Sequence, residues 1–229
     1  MKRRLFAVLS AMCLVPKVSA QGDYRIVYNE ATTALIPLIR AIYAEMGMSP
    51  TFELRPSERA LAEISSGRFD ADLIRVGGVE KMYPNLVRTA EPIKETELYA
   101  YVRKGAILAS TTPEFLKAHT LGFARGSKLA EEFLLVKGLT AYATNSADSL
   151  FKMLTMGRFE IALVTSTQLL SLDPTMLLEA ERAGPILVSN FSYHVLHRKH
   201  VDLVPKFDGI VKAMKADGRL KKLLAGGGN

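Results

Sequence analysis

Hydrophobic residues follow two alternating spacings along this chain, and the alternation predicts an α/β protein. Short apolar runs that are typical of strands lie at 24–28, 51–55, 98–103, 120–124 and 141–144, with an extended segment within 185–198. Helical spacing, as in Leu35, Leu38, Ile42 and Met46, predicts helices at 34–46, from Ser57 onward, at 126–135 and at 205–224. Strands that alternate with helices favour parallel sheets covered by helices on both faces.

An internal repeat adds a second level of organisation. Residues 58–75 read ERALAEISSGRFDADLIR and residues 148–165 read DSLFKMLTMGRFEIALVT, at a constant offset of 90. Each copy is an amphipathic helix, then Gly-Arg-Phe, then an acidic residue and a short apolar strand. Gly67 and Gly157 suit the left-handed position that ends a helix. The repeat therefore predicts two similar lobes, with a cleft beyond the carboxyl ends of their strands.

The first twenty residues have the pattern of a secretory signal. Lys2, Arg3 and Arg4 precede an apolar run of eleven residues, and Val18-Ser19-Ala20 supplies the small residues for cleavage after Ala20. The apolar run is about half of the roughly 20 residues that a membrane-spanning helix needs. We therefore expect export to the periplasm, with an uncleaved N-terminal anchor as the alternative.

Charge and cysteine content narrow the functional class. Residues 1–20 hold four basic and no acidic side chains, so the remaining 26 basic and 23 acidic side chains give a net charge of +3. That charge is too small to indicate a nucleic-acid partner. The single cysteine, Cys13, lies in the signal, so the mature chain has no thiol chemistry. No hydrolase, zinc-protease or nucleotide-binding motif is present, and we expect no cofactor.

Taken in order, the segments resemble the family 3 extracellular solute-binding proteins, the amino-acid-type periplasmic binding proteins. The resemblance spans nearly all of 23–225 and is carried by the strand–helix opening at 24–46, SGRFDA at 66–71, ARGSKLAEEF at 124–133, GRFE at 157–160 and MKADGRLKKLL at 214–224. More narrowly, the chain resembles a bacterial subgroup often found apart from transporter genes. This resemblance is carried by RPSERAL at 55–61, YPNLVRTAEP at 83–92 and YHVLHRKHVDLVPK at 193–206. The order of these segments is more specific than any one of them.

The resemblance implies an α/β fold of the two-lobed, type II periplasmic-binding-protein-like kind, which closes on a small ligand about two hinge crossings. After a signal at 1–20, lobe 1 would comprise 21–97 and 198–229, and lobe 2 would comprise 104–190. The crossings would lie near 98–103 and 191–197. The C-terminal helix would therefore pack on the lobe that contains the N-terminus.

The same resemblance implies a departure from ordinary amino-acid binding. Thr165 stands where the family places an aspartate for the ligand ammonium, and Lys81 is the one basic side chain at 79–82, where an arginine for the ligand carboxylate is expected. Gly126-Ser127 matches the family's turn, whose hydroxyl and amides receive an anion at a helix N-terminus. These positions imply an acidic or strongly polar ligand, bound more tightly than neutral amino acids.

Further candidate ligand contacts follow from strand and helix ends. Arg75 closes an otherwise apolar strand, where it either contacts ligand or pairs with an acid. Arg59 lies in the first turn of a helix, where a cation opposes the dipole and needs a ligand or an acidic partner. Asn29 and Glu30 follow the first strand and either face the cleft or cap a helix. Ser57, which opens its helix, completes the set.

His194, His197 and His200 have a spacing that invites a metal-site hypothesis. In an extended segment the first two point to opposite faces, so we expect no metal site. The function predicted is that of a monomeric periplasmic protein that captures a small polar or anionic solute by lobe closure. Its partner would be a membrane permease of an ABC-type transporter or a receptor that senses the solute. The alternative is a small periplasmic lyase or dehydratase on the same scaffold, with Glu30 as a base.

Overall fold

The structure is a computed structural model that describes residues 24–226. The predicted cleavage site after Ala20 lies outside the described residues. The strands are β1 (Arg25–Tyr28), β2 (Thr51–Leu54), β3 (Ala71–Val76), β4 (Leu86–Arg88), β5 (Lys94–Arg103), β6 (Leu121–Ala124), β7 (Tyr142–Thr144), β8 (Ile161–Thr165) and β9 (Ala180–His197). The helices are α1 (Ile36–Glu45), α2 (Ser57–Ser65), α3 (Val79–Met82), α4 (Pro113–Lys117), α5 (Lys128–Lys137), α6 (Ala147–Thr155), α7 (Ser166–Leu170), α8 (Val204–Ala216) and α9 (Arg219–Gly226). Short 3-10 helices span Glu30–Leu35, Pro174–Leu177 and Arg198–Leu203.

Two sets of parallel strands form the two lobes. β1 pairs in parallel with β2 and β3, and β6 pairs in parallel with β7 and β8. The parallel arrangement is therefore confirmed within each set. It does not extend to β5 and β9, which pair antiparallel with each other and with β8, β3 and β4. The long strands β5 and β9 join the two sets into one continuous sheet.

Helices cover both faces of each lobe. Because successive strand residues point to opposite faces, Ile26 packs in the cluster under α1 and α8, whereas Val27 packs in the cluster under α2. In the second lobe, Leu163 packs in the cluster with α5 and Val164 in the cluster with α6. Within residues 24–226 no helix is long and apolar enough to cross a membrane.

The two copies of the repeat have the same local geometry. Gly67 and Gly157 end their helices with φ angles of +78° and +71°. The acidic residue of each copy accepts a hydrogen bond from the amide at the start of the neighbouring parallel strand. Asp70 Oδ2 lies 2.8 Å from Arg25 N, and Glu160 Oε2 lies 2.8 Å from Thr120 N. In each lobe the repeat therefore fixes the position of the helix relative to the strand that follows it.

The strands that connect the lobes differ in position from the expected crossings. Leu98, Ala100 and Val102 are buried in a cluster of the second lobe, and Leu98 pairs with Thr165 of β8. Val195 and Leu196 are buried in clusters of the first lobe. We therefore assign the crossings to 94–97 and 188–191, a few residues before the expected 98–103 and 191–197. The shift matters because it brings the Thr96 side chain into the lining of a cleft between the lobes.

The C-terminal segment packs on the first lobe. Phe207, Val211 and Met214 of α8 are at most 1% exposed and lie in one cluster with α1 and β1. The single helix expected at 205–224 is wrong in one respect. The helix breaks at Gly218, between α8 and the shorter α9, where the backbone has a φ of +80°. A glycine stands there because residues with a side chain rarely adopt that conformation.

The three histidines near the second crossing go to three different places. His194 is fully buried in the first lobe, with Nε2 2.8 Å from the Tyr43 hydroxyl and its ring stacked on Phe207. Burial lowers the pKa of His194 to about 4, so it is neutral. His200 Nε2 lies 2.7 Å from Asp70 Oδ1, and the His197 ring lies beside Gly67.

Candidate functional site

A cleft of about 570 Å³ lies between the two sets of parallel strands. Its walls are built by residues at or just beyond the carboxyl ends of β1, β2 and β3 on one side and of β6, β7 and β8 on the other. This is where open α/β sheets place their ligands. The crossing strands contribute Thr96 and Ser192 to its floor.

The lobes touch on both flanks of this cleft, so the structure represents a closed arrangement. On one flank, Lys128 Nζ of lobe 2 lies 2.5 Å from Glu58 Oε1 of lobe 1. On the other flank, Ser171 Oγ of lobe 2 donates to Ala31 O of lobe 1 at 3.1 Å. A solute in the cleft would be enclosed by groups from both lobes.

Seven of the eight predicted site residues line the cleft. They are Asn29, Glu30, Ser57, Arg75, Gly126, Ser127 and Thr165. Arg59 is the exception: its side chain is 63% exposed, and its Nε donates to Glu63 Oε1 at 3.0 Å. The acidic partner, one helical turn away, explains the cation in the first turn of α2. The expected ligand contact for Arg59 is therefore corrected to a surface ion pair.

Arg75 is part of the cleft wall and is already paired. It is 6% exposed, its Nε lies 2.7 Å from Asp72 Oδ2, and its Nη2 lies 3.2 Å from Ser57 O. Asp72 is fully buried. Burial raises the pKa of this carboxyl group, while the Arg75 guanidinium lowers it. Of the two roles left open by the sequence, the ion pair is the one present, and Arg75 is not a free cation.

The turn before α5 differs in detail from the expected anion site. The Gly126 amide donates to Glu131 Oε1 at 3.0 Å and the Ser127 amide donates to Ala124 O at 3.2 Å, so neither is free. The Ser127 hydroxyl is buried and has no hydrogen-bond partner within residues 24–226. The first-turn amides of Lys128 and Leu129, which also line the cleft, have no carbonyl partner inside the helix. The Ser127 hydroxyl is therefore available as expected, whereas the available amides lie two residues further along than expected.

Thr165 has a local role in the structure. Its hydroxyl accepts from Gln168 N at 3.2 Å and donates to Gln168 Oε1 at 3.0 Å, which makes it the N-cap of α7. A capping box of this kind satisfies backbone donors at the helix start. The hydroxyl at the position of the expected aspartate is thus engaged with the protein.

Two unpaired charges remain in the lining. Arg125, on lobe 2, and Glu30, on lobe 1, are both exposed, and neither side chain makes an ion pair or hydrogen bond within the described residues. The other charged lining residues have partners: Arg55 pairs with Glu53 and Glu63, and Lys128 pairs with Glu58 and Glu131. Arg125 is therefore the cation of the cleft that is free to meet a solute.

Sequence reasoning missed several lining residues. Arg125 is not among the predicted site residues, although it directly follows a predicted strand. Asn145 and Ser146 follow the predicted strand at 141–144, and the same strand-end rule would have found them. Thr167 lies in α7, two residues after the predicted strand that ends at 165, so the same rule points to it. No sequence signal marked Thr96 or Ser192, because their place in the floor depends on where the crossings lie.

Comparison with known proteins supports this architecture. No family model matches the chain. An uncharacterized protein of Shewanella oneidensis is 25% identical over 184 residues, which cover 78% of this chain and 70% of that protein.

Solved structures resemble the chain closely in fold. The ligand-binding core of GluR0, in complex with L-glutamate, has a TM-score of 0.78 at 11% identity, over 90% of this chain and 98% of that chain. This likeness settles the fold class. The chain has the two-lobed periplasmic-binding-protein fold.

Two further neighbours share this periplasmic-binding-protein fold with the chain. A histidine kinase sensor domain with similarity to periplasmic binding proteins has a TM-score of 0.73 at 15% identity, over 89% of this chain and 94% of that chain. A periplasmic binding protein of an arginine transport system from Legionella pneumophila has a TM-score of 0.72 at 14% identity, over 89% and 98%.

Gly126→Ala is expected to hinder closure of the periplasmic-binding-protein fold. A Cβ at Gly126 would lie 2.7 Å from Ser57 Cβ of the opposite lobe, at a φ of +81°. The matched control is Gly138→Ala, which has a φ of +62° in the same lobe but open space around the added Cβ. Small-angle scattering should show a larger radius of gyration for the Gly126 variant alone. Equal radii for the two variants would contradict a lobe contact at this position.

Proposed function

We propose that this chain is a periplasmic solute-binding protein that captures a small polar or anionic solute by lobe closure. The observation that carries the proposal is a closed cleft whose walls come from both lobes and whose lining places donors and a free cation together. A solute that contacts both walls favours the closed state over the open one, and this differential affinity drives the conformational change.

The anionic character rests on three features of one wall. The Arg125 guanidinium, the buried Ser127 hydroxyl and the first-turn amides of α5 are all donors at the same strand end. Helix N-termini favour negative charge because their amides are unpaired and the helix dipole is positive there. Glu30 on the opposite wall would meet a hydrogen-bond donor at the other end of the solute.

Export and partner are proposed on separate grounds. The signal-like sequence at 1–20 supports a periplasmic location. The fold supports two kinds of partner, because the neighbours include both a transport protein and a histidine kinase sensor domain. We propose a membrane permease or a membrane receptor, with a monomer as the capturing unit.

The first test is capture of a solute. Protein purified from the periplasm is examined by native mass spectrometry for a retained small molecule, and then by a melting screen of acidic, neutral and cationic solutes. A solute present at a hundred times its dissociation constant should stabilise the folded state by about 2.7 kcal/mol. The largest shifts are expected from solutes with an acidic group. Largest shifts from glycine, alanine or lysine would contradict the anionic assignment.

Arg125→Ala should weaken binding of the best acidic solute by roughly ten- to a hundredfold, the value of one lost charge-assisted hydrogen bond. Arg59→Ala is the matched control, because Arg59 is an exposed arginine outside the lining. Isothermal titration of both variants measures the difference. Normal affinity in the Arg125 variant, or an equal loss in both, would overturn the assignment of the free cation.

A further inference from the structure

A connected row of hydroxyl groups forms the floor of the cleft. Thr96 Oγ1 lies 2.7 Å from Ser192 Oγ and 3.1 Å from Thr167 Oγ1. All three residues line the cleft and are at most 8% exposed. Behind them, Lys94 Nζ donates to Thr167 Oγ1 at 3.1 Å and to Ser166 Oγ at 3.1 Å. Lys94 itself is not part of the lining.

One O–H group of this row has no acceptor within the row. Three hydroxyl groups carry three protons, and the two links between them use two. Lys94 cannot take the third, because an ammonium group only donates. Within residues 24–226 these hydroxyls have no other hydrogen-bond acceptor. One O–H of the row is therefore available to an acceptor in the cleft.

The Lys94 ammonium decides which O–H that is. A cation at one end of a row of hydroxyls orients their dipoles so that each proton points away from the charge. Thr167 then donates to Thr96, Thr96 donates to Ser192, and the Ser192 proton is the one left for the cleft. The row draws on β5, β9 and α7, so it is complete only when the crossing strands and the second lobe hold the positions seen here.

We infer that Lys94, Thr167, Thr96 and Ser192 form a polarised hydroxyl chain that presents the Ser192 O–H to an acceptor oxygen of the solute. This inference rests on the proposed function, since it names the group that the bound solute must carry at the floor of the cleft. That group is a carboxylate, carbonyl or other acceptor oxygen. Lys94 is a positioning residue that acts through the hydroxyls without touching the solute.

Titration of Lys94 supplies an independent signature. Burial lowers the pKa of Lys94 to about 8, partly opposed by the Glu97 carboxylate on the same strand. On the side of α7, the ammonium contacts the hydroxyls of Ser166 and Thr167. On the side of β9, the Ser192 hydroxyl is linked to it only through Thr96 and Thr167. None of these hydroxyl groups is charged. The ammonium is charged at pH 7 and loses its proton as the pH rises through about 8. Affinity should therefore fall between pH 7 and pH 9.

The test uses the full mature chain and a defined panel of solutes: L-glutamate, succinate, L-malate, D-gluconate and inorganic phosphate. The member that gives the largest melting shift is titrated calorimetrically into four variants. Thr96→Val, which keeps the shape but removes both links, should weaken binding about tenfold, and Thr96→Ser should restore it to within about threefold. Lys94→Met should weaken binding about tenfold and abolish the fall between pH 7 and pH 9, whereas the exposed Lys137→Met should do neither.

The outcomes separate this inference from the function on which it rests. If the wild type binds a panel member and both Thr96→Val and Lys94→Met bind it equally well, the hydroxyl chain is wrong and the proposed function stands. If Thr96→Ser binds as weakly as Thr96→Val, packing and not the hydroxyl is responsible, which also overturns the chain. If the wild type binds no panel member and retains no solute in native mass spectrometry, the proposed function is wrong. The inference is then wrong as well, because it rests on that function.

Discussion

Removal of the chain from Val204 onward is expected to unfold the first lobe and not merely to shorten a tail. The lost segment contains Phe207, Val211 and Met214, which are buried in the same cluster as α1 and β1. Replacing one such side chain by alanine typically costs about 2–5 kcal/mol, and a whole domain is stable by only about 5–15 kcal/mol. Loss of three together exceeds what the lobe can tolerate. Circular dichroism and thermal melting of the truncated chain measure the result.

Point variants separate the effect of the buried side chains from the effect of shortening the chain. Phe207→Ala should cost about 3–5 kcal/mol in chemical denaturation, because the ring is fully buried and stacked on His194. Phe191→Ala is the matched control, since that ring is 48% exposed and should cost much less. Melting of the truncated chain at the wild-type temperature, or equal losses in the two point variants, would show that α8 is not part of the first lobe.

Arg75→Ala is expected to destabilise the fold by about 3–5 kcal/mol, the usual effect of removing one partner of a buried ion pair. The variant leaves the Asp72 carboxylate fully buried without its cation. Burial already raises the pKa of Asp72, and loss of Arg75 raises it further. A carboxyl group with a raised pKa binds its proton more tightly in the folded chain than in the unfolded chain. The penalty should therefore shrink as the pH falls from 7 to 5, which chemical denaturation at both values measures.

The control for this second experiment removes both charges. Asp72→Leu combined with Arg75→Met fills a similar volume without charge and should recover most of the lost stability. Wild-type stability of Arg75→Ala at pH 7, or a penalty that grows toward pH 5, would contradict a buried, charged Asp72. Because of this pair, a binding defect in Arg75→Ala would report the fold of the cleft wall, whereas Arg125→Ala reports the free cation.

Much of the candidate site follows from local sequence rules. Residues at the ends of predicted strands, or directly after them, line the cleft in six places, because the carboxyl ends of parallel strands share one edge of a sheet. Asn29 and Glu30 were found in this way, whereas Gly126 was found through the family resemblance. Arg59 was predicted on a different ground, as a cation in the first turn of a helix that needs a ligand or an acidic partner. The structure supplies the acidic partner, because Glu63 lies one helical turn further along α2.

The sequence by itself determined most of the longer elements, the repeat and the helix ends at Gly67 and Gly157, since periodicity and glycine conformation act over a few neighbouring residues. Only the tertiary structure decided which charges of the cleft are free. Arg75 and Arg125 both stand at strand ends, yet one is held by Asp72 inside its own lobe and the other meets no partner in the described chain. The hydroxyl chain shows the same limit, because Thr96 and Ser192 lie 96 residues apart and meet only where the two crossing strands pair. Contacts between distant residues depend on how whole strands are placed in the sheet, and no local pattern encodes that placement.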